Sequence, residues 1–535
     1  MEYSALFQRL LKARGFDDDF LHPKYENLQS PYVLKDMDKC VARIEKAVKN
    51  QEKVVIYGDY DVDGVCSSTL MYEALQSAGC KNITILLPDR FGEGYGMNAG
   101  AIDEILSTTA TLVITVDCGS GSGEVITKLK EQGIDTIVTD HHEIPKVPKS
   151  AIAVVNPKRG KELNELAGVG VAFEVARALN MQKNHSKCDG SEKWLLDLVA
   201  IGTICDAMPI TGENRILVYW GMRVIAKTRR RGLKELMKIA NIDPKTLSTH
   251  SIGFQIGPRL NAGGRMDSAH KSLDLLMSKT NAEAFKHATE LDRLNKVRRK
   301  TQDEAMSELS SATDKGQSVI VVKGKWHEGV IGIIAGRLVE THKKPAFVLT
   351  ETEDGLLKGS GRSFGDFNLA DCITHCQNML VKGGGHNFAC GITIANSDFE
   401  NFATSVNNLY ESLNLKNQER HLKKSADLSI ADFSELSETL CNELKLLEPF
   451  GEGNPEPIFS ASAKIFNTKV LKEKHLNLSL RDQSGKFLRT MSFFTPKDWF
   501  DFVEDTDINI KFTLTLNEWN GRKSVEGRVV DLEPA

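Results

Sequence analysis

Aspartates and two adjacent histidines recur where apolar runs end, and that placement gives this 535-residue sequence its chemistry. VVIYGDYDVDG carries Asp59, Asp61 and Asp63, closed by Gly64. LVITVDCGS leads to Asp117, TIVTDHHE to Asp140, His141 and His142, and DLVAIGTICDAMPI to Asp206. Read as extended chain, the first loop lets Asp61 and Asp63 converge on one point, with Asp59 close behind. Carboxylates that close repel one another unless a cation sits between them. A polar turn after one strand is commonplace, but four acidic clusters at successive strand ends point to a two-cation site. Two cations about 4 Å apart can clamp the attacking and leaving oxygens of a phosphoryl displacement. Asp117 is the natural bridge between them. Mixed oxygen and imidazole ligands suit Mn²⁺ first, with Mg²⁺ or Fe²⁺ as alternatives. Adjacent histidines cannot both point the same way in extended chain, so one serves as a ligand and the other is free to face the scissile phosphate.

The elements that must hold these groups are legible as alternating patterns. Strand candidates are VVIYG (54–58), ITILLP (83–88), LVITVD (112–117), TIVTD (136–140) and AIAVVN (151–156), separated by helical stretches such as SSTLMYEALQSAG and GEVITKLKEQG. Such alternation predicts a parallel sheet covered on both faces, over about 49–215, after a helical lead-in over 1–48. Ligands of such sheets bind beyond the carboxyl ends of the strands.

A helical connector follows over 216–315. Its Arg229, Arg230 and Arg231 read equally well as a solvated helix face or as a nucleic-acid contact. Residues 281–312 hold no Gly or Pro, and Phe285, Ala288, Leu291 and Leu294 fall near helical spacing, which predicts one long helix bridging two lobes. Lys296, Arg298, Arg299 and Lys300 on it are placed to line a cleft, with half of them facing away. In the second lobe, 316–412, QSVIVVKG and PAFVLT read as strands, and a helix starts just after His327 and Glu328, where open amides can receive a phosphate. LKGSGRS reads as a tight glycine turn holding Ser360 and Arg362, and VKGGGHNFACG places His386 after three glycines. Glycines let backbone approach a polyanion closely.

After the polar linker NQERHLKKSADLS, LEPFGEGNPEPIF marks a chain crossing. Five alternating strands follow over 425–535, with Asn520-Gly521 as a hairpin turn. Five short strands fit an OB-like barrel, which commonly holds single strands. Lys464, Lys469, Lys472, Lys474, Arg481, Lys486 and Arg489 favour that role. Of the adjacent Phe493 and Phe494, one is expected in the core.

Composition sets outer limits. A net charge of −4 neither demands nor excludes nucleic acid, so any basic surface must be local. Hydrophobic content of 41% and charged content of 26% are those of an ordinary globular protein of three or four domains. No apolar run is long enough to span a membrane, and MEYSALFQRLLKARGF lacks the form of a secretory signal. The ten cysteines form no C-x-x-C pair, which argues for reduced thiols and a cytoplasmic location, and against zinc or disulfides.

GDYDVDG, VDCG, DHH and the later Asp206 resemble the four-motif pattern of the DHH phosphoesterase superfamily. PDRFGEGYGMN, GTICDAMP, GPRLNAGGRM and GGGHNFACG resemble, over nearly the whole chain, its branch of bacterial single-strand-specific 5′→3′ DNA exonucleases. The resemblance implies an α/β architecture: a parallel-sheet DHH domain joined by a long helix to a smaller α/β DHH-associated domain, plus a C-terminal OB-like β-barrel. It implies Asp61, Asp63, Asp117, His141 and Asp206 as metal ligands, Asp59 as a ligand or the neighbour of one, and Asp140 as the group orienting a histidine. It makes His142 the phosphate-contacting histidine. Arg90, Ser360 and Arg362 then form a pocket for the 5′ end, while Asn261, Arg265 and His386 contact the strand or lie beside the metals. Some superfamily members carry a histidine where this chain has Tyr57, so ligation of the first metal falls to Asp59 or to water. The implied activity is metal-dependent hydrolysis of single-stranded DNA in repair and recombination, with single-strand-binding protein as a partner; nothing in the sequence indicates an oligomer, so a monomer is expected. Rival readings are a phosphodiesterase of short RNA oligonucleotides or cyclic dinucleotides, whose relatives usually lack the barrel, and a non-catalytic single-strand-binding scaffold, which has little reason to keep the full ligand set.

Overall fold

The computed structural model describes residues 3–90, 96–161, 163, 165–183, 189–309, 316–415, 425–519 and 521–535. Two compact units emerge: Gln29–Met208 with Trp220–Leu422, and Met1–Leu28 with Pro209–Tyr219 and Lys423–Ala535.

The larger unit begins with five strands: β1 (Lys53–Tyr57), β2 (Asn82–Leu86), β3 (Leu112–Val116), β4 (Asp135–Thr139) and β5 (Ala153–Val155). All pair in parallel, in the order β2-β1-β3-β4-β5. Their apolar runs are continuous because both faces are covered. On one face, Val55, Tyr57, Val113 and Val138 pack with Ala101, Ile105, Ile126 and Leu129 from the helices Ala99–Ser107 and Gly123–Glu131. The helices Met37–Asn50, Val62–Ala78, Gly168–Lys183 and Leu196–Cys205 pack among themselves, with contacts to β1, β3, β4 and β5. The strand order reverses between β1 and β3, so the carboxyl ends of those two strands diverge into a crevice.

A helix over Asn281–Leu309 leads to the second sheet, as the spacing predicts. Arg298 turns inward to Asn295 and Gln302, and Lys296 pairs with Asp292, so these two do not form an open basic face. The sheet comprises β6 (Ile320–Gly324), β7 (Ala346–Glu351), β8 (Leu356–Arg362), β9 (Leu380–Gly385) and β10 (Ala389–Ala395), ordered β6-β7-β8-β10-β9. LKGSGRS is therefore a strand rather than a glycine turn. Gly359 and Gly361 alternate with Ser360 and Arg362, and they occupy the face on which Phe347, Leu349, Cys390 and Ile392 press. Glycine here makes room for packing, and Ser360 and Arg362 share the opposite face.

Each arginine of the triplet has a partner within the chain. Arg230 is buried in ion pairs with Glu73 and Asp197, Arg229 lies over the Trp194 ring at 3.6 Å, and Arg231 bonds Asn281.

The second unit is a barrel. A short β11 (Leu428–Ser429) adds to β12 (Phe459–Leu471), which is followed by β13 (His475–Arg481), β14 (Phe487–Ser492), β15 (Asp507–Trp519) and β16 (Arg522–Pro534). The order β12-β13-β14-β16-β15 closes through β12–β15, with β14 and β16 parallel. Trp519 pairs with Arg522 across the expected hairpin, although Asn520 lies outside the described residues. Residues 1–48 divide between the units: Leu6, Phe7, Leu10 and Leu21 join the barrel core, while Met37–Asn50 covers the parallel sheet. Phe493 and Phe494 are 52% and 80% exposed, so neither is core; both ring edges meet His475 instead. No described helix is long and apolar enough to cross a membrane.

Candidate metal centre

At the end of β1 the chain does not stay extended as the alternation suggests. Asp61 caps the helix Val62–Ala78, accepting a hydrogen bond from Gly64 N at 3.1 Å, and Asp63 lies in the first turn of that helix. Short polar side chains at a cap compete for backbone amides in this way. From Asp61 to Asp63 the backbone therefore turns by about 200°, and the two carboxylates enter different donor groups. One group is Asp59, Asp61 and Asp117; the other is Asp63, His141 and Asp206. Asp63 is fixed by the amides of Gly168 and Val169, at 2.7 and 3.0 Å, which begin the Gly168–Lys183 helix. Only glycine fits at 168, because a Cβ there would lie 2.5 Å from Asp117 Oδ1.

Asp117 follows β3 in a left-handed backbone conformation, φ 59°, which few residues other than glycine, asparagine and aspartate adopt without strain. Strain of this kind persists where a side chain must be aimed. Asp117 Oδ1 lies 3.2 Å from His141 Nε2, which is 3.5 Å from Asp206 Oδ2 and 3.9 Å from Asp63 Oδ2. Asp59 Oδ1, Asp117 Oδ1 and His141 Nε2 are buried with no hydrogen-bond partner.

The electrostatics show a deficit of positive charge. Burial, then Asp61, pushes Asp59 up to about 8 and Asp63 up to about 7. Burial, then Asp63 and Asp61, raises Asp206 to about 8 and Asp117 well above the usual carboxylate range. Burial and the charge on His142 lower His141 to about 3, leaving a neutral imidazole with a free lone pair. Hard carboxylate oxygens, a neutral imidazole and three unpartnered buried donor atoms fit divalent cations.

His142 is built differently. Its Nδ1 lies 2.8 Å from Asp140 Oδ1, and although burial opposes the charge, this hydrogen bond raises it to about 9. Asp140 also accepts from the amides of Ser120, His141 and His142. Burial works against its charge too, but these bonds hold it well below the usual range. Sequence reasoning missed one support of this arrangement, Asn156. Asn156 Nδ2, at the end of β5, donates to Ser120 Oγ at 2.9 Å and to the His142 carbonyl at 3.0 Å. The signal was present: Asn156 is one more polar residue at the carboxyl end of a parallel strand.

A second cluster is cationic. Arg265, four residues after Asn261 on the helix Gly257–Met266, donates to the Gly329 carbonyl at 3.3 Å. Burial, then the charges of Arg90, Arg298 and Arg362, lowers it to about 9. Arg90 lies over the Tyr60 ring at 4.9 Å, while residues 91–95 of its loop lie outside the described residues. Arg362 donates to Ser360 Oγ at 2.9 Å, and burial lowers it, with Arg90 adding to the effect. His386 sits between β9 and β10, lowered by burial and then by Arg362 and His142. Asn261 is half-buried on the same helix as Arg265. Guanidinium groups that repel one another in a half-buried space fit a phosphate. The expected phosphate seat at the start of the Glu328–His342 helix is already engaged: Gly329 is buried, its amide bonds His327 Nδ1 and its carbonyl bonds Arg265.

Comparison with known proteins places this constellation. The model of the DHH family N-terminal domain matches residues 53–203, that of the DHHA1 domain 316–412, and that of the RecJ OB domain 427–531. The single-stranded-DNA-specific exonuclease RecJ of Bacillus subtilis is 35% identical over 99% of this chain and 68% of its own length. That of Salmonella typhimurium is 32% identical over 94% of the chain and 91% of its own. This chain belongs to the RecJ family. The crystal structure of Thermus thermophilus RecJ in complex with Mn²⁺ superposes with a TM-score of 0.87 at 28% identity, covering 100% of this chain and 76% of that one; its Mg²⁺ complex gives 0.81 at 26%, covering 100% and 75%. Within this RecJ-family chain, Asp206, Asn261 and Arg265 lie outside the three matched domain models. The connector thus brings Asn261 and Arg265 to the cationic cluster, while Asp206 follows the Leu196–Cys205 helix just beyond the first matched model.

Proposed function

We propose that this chain hydrolyses single-stranded DNA from the 5′ end, one nucleotide at a time, with two divalent cations, Mn²⁺ or Mg²⁺. The relatives' activity and the Mn²⁺ and Mg²⁺ complexes of the Thermus thermophilus protein support this reading. The observation that carries it is the set of three buried, unpartnered donor atoms, on Asp59, Asp117 and His141, at the switch point of the parallel sheet. Asp59, Asp61 and Asp117 would hold one cation, and Asp63, His141 and Asp206 the other, with Asp117 between them. Bound there, the cations supply Lewis-acid charge to the phosphodiester.

The side chains do the rest. His142, charged at neutral pH and tied to Asp140, donates to a non-bridging or leaving oxygen of the scissile phosphate. Arg265 steadies the same phosphate. Arg90, Ser360 and Arg362 receive the 5′-terminal phosphate, and His386 and Asn261 line the adjoining strand. Placement of the terminal phosphate sets which bond meets the acidic cluster.

By domain, 49–215 carries the chemistry, 316–412 grips the strand, 216–315 joins them after the 1–48 lead-in, and 425–535 holds the polymer. The barrel has the surface for holding a strand, since Phe466, Phe487, Phe493 and Phe494 are exposed beside Arg481 and Arg528. A cytoplasmic monomer that works with single-strand-binding protein completes the reading.

The test uses internally labelled single-stranded DNA blocked at its 5′ or its 3′ end, beside a blunt duplex, with Mn²⁺. Degradation stopped only by the 5′ block, with the duplex spared, is expected. Cleavage of dinucleotides without attack on long strands would move the assignment to small-substrate phosphodiesterases.

A further inference from the structure

The helix that carries Asn261 and Arg265 begins at Thr249, and its middle, Ile252–Ile256, is a single π turn closed by Gly257 N–H on the Ile252 carbonyl. Pro258 gives the turn its cause. Proline has no N–H, and its ring crowds the carbonyl four residues back, that of Phe254. A widened turn accommodates both effects, and such turns are frequent at functional sites.

The widened turn exposes an aromatic side chain. Phe254 is 65% exposed, and its ring stacks on His250 with centroids 4.8 Å apart and planes 23° from parallel. One exposed phenylalanine needs no explanation by itself, but its location does. Gly257 packs against Cys205 Sγ, and a Cβ on Gly253 would lie 3.6 Å from Ile204 Cγ2, so the turn rests on the two residues that precede Asp206. Along the helix, Phe254, Pro258, Asn261 and Arg265 follow 4-3-4 spacing and are all accessible, whereas Ile252, Ile256, Leu260, Gly263 and Gly264 are buried. Phe254 therefore shares a stripe with Arg265, about 16 Å away along the helix.

We infer that Phe254, backed by His250, is a stacking platform for an unpaired nucleobase of the strand beyond the scissile phosphate. The inference rests on the single-strand exonuclease reading. It adds a chemical criterion for single strands: an unpaired base offers a free π face, whereas the faces of a duplex base are covered by its neighbours. A base–aromatic stack tolerates any sequence, since every base has such a face. The continuous stripe ties the platform to the cationic pocket and orients it along one strand.

The test couples side chain to base. Binding of a single-stranded oligonucleotide with a 5′-phosphate is measured by fluorescence anisotropy in EDTA, for wild type, Phe254→Ala, Phe254→Leu and Phe254→Trp. The strand is intact or carries one abasic site, scanned through its first eight nucleotides. Phe254→Ala and Phe254→Leu should weaken binding about ten-fold, toward the lower end of what one such stack contributes, and Phe254→Trp should restore it. At one abasic position wild type should lose the same factor while Phe254→Ala loses nothing more, a non-additivity that marks direct contact. Melting temperatures should stay within about 2 °C of wild type, as for an exposed side chain. Additive losses at every position, or equal affinity of all four proteins, would overturn the platform while leaving the exonuclease reading intact. A wild-type protein that neither binds nor degrades single strands would remove that reading itself.

Discussion

Asp117 Oδ1 and His141 Nε2 face each other at 3.2 Å across the ends of β3 and β4, both buried and neither with a hydrogen-bond partner. The pair sits where the two donor groups meet, and Asp117 is held there in a left-handed conformation. The crowded, buried carboxyl carries a further cost, retained for what the site does, so removing the carboxyl alone should reveal the trade. Asp117→Asn keeps a residue that tolerates this backbone and removes the buried charge. Hydrolysis should fall by at least about three orders of magnitude, as expected when a ligand that helps stabilise the developing charge is lost. In EDTA the variant should be more stable than wild type by about 1–3 kcal/mol, because a buried carboxyl crowded by Asp63 and Asp61, and held well above the usual carboxylate range, is gone. A variant less stable than wild type in EDTA, or one that keeps its activity, would refute the bridging role.

The acidic cluster also fixes a pH response for the cation-free protein. Asp59, Asp63 and Asp206 are raised to about 8, 7 and 8, so the native state keeps protons that the unfolded chain has already released. Where the native state binds more protons, stability falls as pH rises. His142, raised to about 9, acts in the same direction, its contribution being lost as pH climbs through that value. His141 acts oppositely, but only below its ordinary 6.5, above which it is neutral in both states. Between pH 6.5 and 9, thermal stability in EDTA should therefore decline steadily. Added Mn²⁺ should raise the melting temperature more at the alkaline end, since ligands must be deprotonated to bind. Melting curves at several pH values, with and without Mn²⁺, decide this; a flat or rising EDTA series would contradict it.

Much of the site was legible because a parallel sheet brings together residues that end its strands, however far apart they lie in sequence. Asp117 and His141 could be singled out on that basis, whereas Asp206 ends the helix Leu196–Cys205 rather than a strand; the long helix over Asn281–Leu309 followed from a run without Gly or Pro. Local conformation was harder to read. The D-x-D alternation broke at Asp61 because a side-chain cap starts a helix there, and a cap is a competition among backbone amides that periodicity does not register. LKGSGRS and GPRLNAGGRM read as glycine-rich stretches, yet one is a strand and the other a helix. Their glycines answer to neighbours such as Phe347 and Cys205, which only the tertiary fold supplies.

Asn156 offers a test of the support beneath His142. It is 1% exposed and donates to Ser120 Oγ and to the His142 carbonyl, clamping the loop after β3 to the loop after β4. Asn156→Ala leaves both acceptors unpaired, which should cost about 1–3 kcal/mol of stability. With His142 less firmly aimed, kcat should drop by about ten-fold with KM little changed, the signature of an interaction needed only in the transition state. Mn²⁺ affinity by calorimetry should hold, since Asn156 bonds none of the grouped ligand atoms. Loss of cation binding in step with kcat would make Asn156 a general structural support instead.

The proposed selection of the strand's end rests on Arg362. Its guanidinium reaches Ser360 Oγ and the Gly361 carbonyl, and Gly332 on the Glu328–His342 helix leaves open the space beside it. A terminal phosphate can take two parallel hydrogen bonds from such a fork, which an ammonium cannot reproduce. Arg362→Ala and Arg90→Ala should each raise KM about ten-fold for a 5′-phosphorylated strand, and less than about two-fold for a 5′-hydroxyl strand, which lacks the group they grip. Arg362→Lys should resemble Arg362→Ala despite keeping the charge. Steady-state rates on the two strands separate the possibilities: equal losses on both would mean that these arginines hold the DNA backbone generally, and full activity of the lysine variant would mean that charge alone, not the fork, recognises the end.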